Sequence, residues 1–322
     1  MSSANKSIDA YVAATFGCNS AQFVEALQNS PNSRGYILGA LSEMALRHYL
    51  ETRAYEVVRI VEKPSGGNDA KSDEARGDFY VRKRGQKNDA WLVVESRGLK
   101  SNSEFRGAKL DSPEKVHHYL RALAFPPRDC KQKIYDKGLQ TYTRAKEKWE
   151  RKHPGKRFPP FRWNRSTPGP VTCDLSGIWR NPSDLECYIA GLEAVAFTED
   201  SYRNRRGALA VLETHKPSRR LAPLTKINHA APLVSDFSIL AVDLYLRTGR
   251  HEFAFVNPKT ISHSPTSPEH LYQNYTIDVL VPGLKVRPRF VPPWYEDFAD
   301  CVGRTSPEYR TLDRNQVDHR MD

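Results

Sequence analysis

Apolar residues recur at helical steps over the first fifty positions and then change period. Residues 8–16 and 21–27 read as two short helices, the second opened by an Asn19-Ser20 cap. Pro31-Asn32-Ser33 breaks the chain. Residues 35–51 then place Leu38, Leu41, Ala45 and Tyr49 at three- or four-residue steps, the stripe of a longer amphipathic helix. Residues 55–61 are β-branched and predict a strand. Residues 63–76 are polar, contain Gly66-Gly67 and predict a loop. A short strand at 78–81 and a charged turn at 82–89 follow. Trp91-Leu92-Val93-Val94 is then a buried strand running into Glu95.

Asp111-Ser112-Pro113-Glu114 opens a helix with Pro in its first turn, reaching about Leu123 before Pro126-Pro127 stops it. Residues 130–152 predict a long basic helix, ended by Pro154-Gly155. The stretch 158–170, rich in Pro, Arg and aromatics, reads as an ordered loop or boundary. A helix is expected at 183–197, and strands at 208–212, 237–246, 252–256 and 276–281. Thr248-Gly249-Arg250 turns the chain between the second and third of these strands. The last forty residues, rich in Pro and charge, are expected to wrap the surface. The pattern predicts an α/β protein, with a mixed central sheet flanked by helices and a C-terminal α+β extension. Residues 1–125 would form the core with its N-terminal helices. Residues 126–322 would form a basic helical and β-rich part of the same globule.

Composition narrows the function classes. The 322 residues are 39% hydrophobic and 10% aromatic, enough for a packed core and unlike a disordered chain. No run approaches the roughly eighteen apolar residues of a membrane span, and no apolar signal core follows the first residues. Five Cys, none in a Cys-x-x-Cys pair, argue against a disulfide scaffold or a Cys-rich zinc module. A cytoplasmic location is expected, with Cys173 and Cys187 as buried thiols.

The net charge of +11 is concentrated. Twelve Lys or Arg and three acids lie between Lys131 and Arg165, so about a tenth of the chain holds most of the surplus. Clustered charge adds its field at one place and points to a polyanion as partner. Lys131, Lys133, Lys137, Arg144 and Lys148 on the basic helix are the expected phosphate contacts. Arg162 and Arg165 in the following loop join them, as does a second cluster of Arg203, Arg205 and Arg206. Tyr135, Tyr142 and Trp149, seven residues apart, predict the helix's packed face rather than a base-stacking platform. Gly66-Gly67 lacks the Lys-Ser/Thr of a P-loop, so no nucleotide cofactor is expected. The adjacent His117 and His118 point in different directions, and His251 and His263 have no partner at zinc spacing.

Three acids carry the candidate chemistry. Asp78 follows Gly77 and opens a strand, Glu95 ends the next strand, and Glu43 lies on the helix before both. Antiparallel strands joined by a tight turn can bring Asp78 and Glu95 to one end of a sheet. Two carboxylates so placed repel unless a cation joins them. Oxygen ligands of this kind suit Mg²⁺, which can polarise a phosphodiester and lower the pKa of a bound water.

Gly77-Asp78-Phe79, followed by Trp91-Leu92-Val93-Val94-Glu95-Ser96-Arg97-Gly98, resembles the PD-(D/E)xK nuclease superfamily, to which most type II restriction endonucleases belong. Glu43, within Leu41-Ser42-Glu43-Met44-Ala45, is placed like the acid on that family's first core helix. The resemblance spans residues 35–100. It implies a restriction endonuclease-like core, with Mg²⁺ held by Asp78 and Glu95 and supported by Glu43. The implied activity is Mg²⁺-dependent cleavage of double-stranded DNA, sequence-specific and of restriction type, by a homodimer. One position departs from the pattern: Arg97 stands where the family has Lys. Arg97 shares a strand face with Glu95 and can bind phosphate, but it cannot act as a base. Either Arg97 gives electrostatic support or Lys100 takes the Lys role. Two other readings stay open: a non-catalytic nucleic-acid-binding protein on a degenerate nuclease fold, and a structure-selective or repair nuclease.

Overall fold

The computed structural model of the protein describes residues 7–61, 76–99, 113–163, 169–170, 179–190, 210–213, 219–245, 250–277, 290 and 292–319. The chain opens with α1 (Ile8–Phe16), α2 (Ser20–Asn29) and α3 (Pro31–Thr52), followed by β1 (Tyr55–Arg59), β2 (Phe79–Lys83) and β3 (Leu92–Gly98). Next come α4 (Pro113–Ala124), α5 (Cys130–Lys152) and α6 (Pro182–Ala190). The remainder holds β4 (Ala210–Glu213), β5 (Arg220–Leu221), β6 (Asn228–His229), β7 (Ile239–Asp243), β8 (Phe253–Val256), β9 (Asn274–Ile277) and α7 (Phe298–Thr305).

The protein is mixed α/β. Its main sheet has five strands in the order β1-β2-β3-β7-β8. β3 and β7 run parallel, and the other neighbouring pairs are antiparallel. Strands from both sides of residue 125 therefore share one sheet. β4–β9 and β5–β6 form two further two-stranded sheets.

Pro31 begins a helix, where the sequence pattern suggests a break. Proline's fixed φ suits a first turn, and its missing N–H would have no partner there. Ser30 caps α3, its hydroxyl accepting from Ser33 N, so the helix starts at Pro31 and not at the expected residue 35. Its buried seam is Ser42, Leu46 and Leu50, four residues apart, beside half-buried Ala45 and Tyr49. Leu41 and Met44 are exposed; Met44, two residues from both Ser42 and Leu46, lies about 200° round the helix from that seam.

The sheet has a core on each face. Leu46, Leu50, Phe79, Val81, Leu92, Val94, Ile239, Ala241, Phe253 and Phe255 meet Phe298 and Cys301 of α7 on one face. Tyr80, Trp91, Val93, Leu240, Val242, Ala254 and Val256 line the other face with Leu271, Tyr275, Ile277 and Trp294. The two sets alternate along β3, the period of two that defines a strand. The C-terminal segment covers the sheet through bridges from Tyr295 to Phe255, Arg310 to Trp91 and Val317 to Ile60. Cys187 is exposed, against expectation. Leu185 faces inward on α6, and two residues further is about 200° around the helix, toward solvent. Cys173 lies outside the described residues.

Candidate active site

Gly77 sets the approach of β2 to β3. A Cβ there would stand 2.7 Å from Val93 Cγ1 and 2.7 Å from the Val94 carbonyl oxygen, so only glycine fits. Asp78 then donates its N–H to Val94 O at 2.8 Å and its carbonyl accepts from Ile60 N at 2.9 Å. The last register pair of β2 and β3 is Phe79 with Val94. One step beyond it, Asp78 faces Glu95. The Asp78 carboxylate accepts from Ser96 N at 2.6 Å, continuing the ladder by a side chain.

Glu95 is 3% exposed, a carboxylate at the rim of a buried sheet. Arg97 reaches back to it, with Nη2 2.5 Å from Glu95 Oε1. That contact shows the shared strand face. Glu43, one helix position beyond buried Ser42, is held by Arg59 Nη2 at 3.1 Å. Arg59 also lies 3.9 Å from Asp318 of the C-terminal segment. The structure thus brings together Asp78, Glu95, Arg97 and Glu43. Lys100 lies outside the described residues.

Burial pushes the Asp78 carboxyl well above the usual carboxylate range. The negative charges of Glu95 and Glu43 push it further, and the Ser96 N–H and Arg97 only partly offset them. Such a pair of carboxylates suits a divalent cation that keeps most of its waters and needs only one or two protein ligands. Among the described residues no three His, Cys, Asp or Glu converge to hold a metal. By its chemistry, a donor set of Asp78 and Glu95 would fit Mg²⁺.

A stability test follows. A carboxyl raised on folding holds its proton more tightly in the folded state. Its contribution is greatest below the unfolded value and is lost as pH rises through the folded one. Without divalent cation the protein should lose stability as pH rises from the ordinary carboxylate range to the raised value of Asp78. Asp78→Asn keeps an acceptor for Ser96 N and removes the charge. It should flatten that pH dependence and abolish stabilisation by Mg²⁺ at neutral pH. Thermal unfolding across pH, with and without Mg²⁺, reads both effects; equal behaviour of the two proteins would remove Asp78 from the site.

The basic helix α5 docks through its aromatic face. Tyr142 and Trp149 are buried with Phe158, and half-buried Phe161 packs against them. Gly138 leaves the notch that the Trp163 ring fills. At about 100° per residue, Lys133, Lys137, Arg144, Lys148 and Arg151 fall within about 60° of one another and span about 27 Å along the axis. All five are exposed, and Lys133 also pairs with Asp129 at 2.6 Å. Lys131 lies off this stripe and Arg162 is exposed in the following loop. Arg165, Arg203, Arg205 and Arg206 lie outside the described residues.

The sequence pattern passes over one neighbouring pair. Asp243, buried at the end of β7, holds His251 through Nδ1 at 2.6 Å. Asp243 could have been noticed by the signal that marks Glu95, an acid closing an apolar strand. No protein-family model, curated protein or solved structure matches the chain. Among the described residues no helix is long and apolar enough to cross a membrane.

Proposed function

We propose that the protein is a Mg²⁺-dependent endonuclease acting on double-stranded DNA, of the sequence-specific restriction type. The observation that carries this reading is the meeting of Asp78, just before β2, with Glu95 in the middle of β3, where each charge opposes the other. Asp78 and Glu95 would hold Mg²⁺, which supplies polarisation of the phosphodiester and acidification of water. Arg97, oriented by Glu95, would meet a phosphate oxygen with its positive guanidinium. Glu43 is steadied by Arg59 and adds negative potential behind Asp78. The stripe on α5 grips the backbone, and recognition of a palindrome would call for a two-fold homodimer.

The test is incubation with plasmid DNA in Mg²⁺, in Ca²⁺ and in EDTA. Discrete fragments with Mg²⁺ alone support the reading, and a smear or cutting confined to branched DNA supports a structure-selective nuclease instead. One contact favours a second reading, DNA binding without cleavage: Arg97 closes on Glu95 at 2.5 Å and competes with a cation for that carboxylate. Intact binding with no cleavage under any divalent cation would select it.

The stripe makes its own prediction under either reading. Each neutralised phosphate adds about 0.9 to the slope of log affinity against log salt. The double variant Arg144→Ala, Lys148→Ala should weaken binding to all DNA sequences alike and lower that slope by about 2. Fluorescence anisotropy at several salt concentrations measures it. An unchanged slope would place the contacts elsewhere.

A further inference from the structure

Gly77 lays the chain across β3: a Cβ there would meet the Val93 side chain, which shares its strand face with Glu95. Arg76, the residue before, is therefore on the face that carries Glu95, and two residues of chain keep its Cα within about 7 Å of that of Asp78. Its N–H donates to Asp236 O at 3.2 Å, in the segment that leads into β7. Two more arginines meet that segment. Arg220 clamps the buried Asp236 carboxylate through Nε, at 3.2 Å, and through Nη2, and Arg310 Nη2 donates to Ser235 O. Arg76 differs from these two. Among the described residues its Nε is buried and meets no acceptor. The neighbouring acids are engaged elsewhere. Asp236 accepts from Arg220 and from Leu233 N at 2.9 Å, and Glu308 accepts from Lys259 Nζ at 2.6 Å. Burial and the charge of Arg220 both oppose the Arg76 cation, and Asp236 only partly offsets them. A buried donor without a partner is costly and calls for an acceptor. Arg76 as a whole is only half-buried, so a solute can reach it.

We propose that Arg76, flanked by Arg220 and Arg310, is a binding site for a phosphate group. The planar fork of a guanidinium matches phosphate oxygens, and an anion there supplies the charge that Arg76 lacks. It also offsets the repulsion between Arg76 and Arg220. The role of the site rests on the reading of Asp78 and Glu95 as the reacting centre. On that reading the group is a DNA backbone phosphate next to the one cleaved, and Arg76 sets the register of the strand against the carboxylates.

The test uses the full chain with Arg76→Gln and Arg76→Lys. In phosphate-free buffer Arg76→Gln should unfold at the wild-type temperature or above it, because it removes a cation that nothing balances. A lower temperature would reveal a structural partner and overturn the site. Inorganic phosphate should raise the unfolding temperature of the wild-type protein and leave that of Arg76→Gln unchanged. A short DNA duplex in EDTA gives the second arm, read by fluorescence anisotropy against salt. Arg76→Gln should lower the slope of log affinity against log salt by about 0.9, the value of one phosphate, and Arg76→Lys, which keeps the charge, should restore it. That fall assigns the site to a DNA phosphate. Stabilisation by inorganic phosphate that needs Arg76, with the DNA slope unchanged, keeps the site and assigns it to a free phosphate. Absence of both responses overturns it. Cleavage judges the nuclease reading separately. Phosphate binding without cleavage leaves the site standing and removes the nuclease, and cleavage with neither response in Arg76→Gln does the reverse.

Discussion

Glu95→Gln is expected to reduce Mg²⁺-dependent cleavage by about a thousandfold, the cost of removing a preorganised charge from a reacting centre. Gln keeps the volume and one acceptor oxygen, so β3 and its neighbours have no reason to move. What is lost is the negative charge that a cation needs and that Arg97 answers at 2.5 Å. An internal control accompanies the loss. The repulsion of Glu95 helps to push the Asp78 carboxyl up, so Asp78 should ionise at lower pH in the variant. Glu43→Gln should cost less, because Arg59 already holds Glu43 and its charge acts on Asp78 less than that of Glu95. Single-turnover cleavage measures both variants, with circular dichroism to show that they fold. A Glu95→Gln protein within tenfold of the wild-type rate would sink the site. Arg97→Lys refines it: a faster variant would show that Arg97 occupies the position where a titratable amine serves better.

The sequence pattern located the strands that carry the site, and the reason is local. β3 opens as a run of apolar residues after a turn signal, but it does not end at Glu95 as the pattern suggests: it runs on to Gly98, because the parallel partner β7 continues its pairing through Arg97 and Gly98. β7 and β8 were likewise visible as apolar runs flanking Thr248-Gly249-Arg250. Their placement was not. The parallel pairing of β3 with β7 joins residues about 145 apart, and no periodicity encodes which strand an apolar run will choose. The same gap hid the Asp243–His251 pair. His251 looked idle because partners were sought at metal spacing along the chain, whereas its partner comes from the neighbouring strand across a turn. β5 and β6 have two residues each, too short for any pattern. α7 hid in a Pro-rich tail because its signal is slight: the Asp297 cap and the spacing of Phe298 and Cys301. Pro31 misled for a chemical reason, since proline ends helices from within and starts them from the first turn.

Trp149→Ala is expected to destabilise the protein by about 3–5 kcal/mol, the range for truncating a buried tryptophan, and to lower DNA affinity with it. Three contacts make Trp149 the anchor of α5. Its indole packs on Phe158 and stacks on His153, with centroids 5.6 and 4.3 Å away. Its Nε1 donates to Thr225 O at 2.9 Å, in a turn that Glu269 also holds through Thr225 N and Oγ1. Truncation removes the packing and leaves the Thr225 carbonyl without this donor. Among the described residues, Trp149 is one of three buried side chains of the cluster, with Tyr142 and Phe158. Tyr142→Phe is the graded comparison. It loses only the hydroxyl bond to Pro159 O and should cost about 1 kcal/mol. Urea unfolding gives the stabilities, and hydrogen exchange along α5 shows whether the loss is local. Mg²⁺ binding at Asp78 and Glu95 should survive in Trp149→Ala, because those carboxylates sit on the main sheet and not on α5. If the variant keeps wild-type DNA affinity while its α5 amides exchange freely, the basic helix is not the docking surface. A joint fall in α5 protection and DNA affinity, with cation binding intact, would mean that grip and chemistry are carried by separately stabilised parts of one fold.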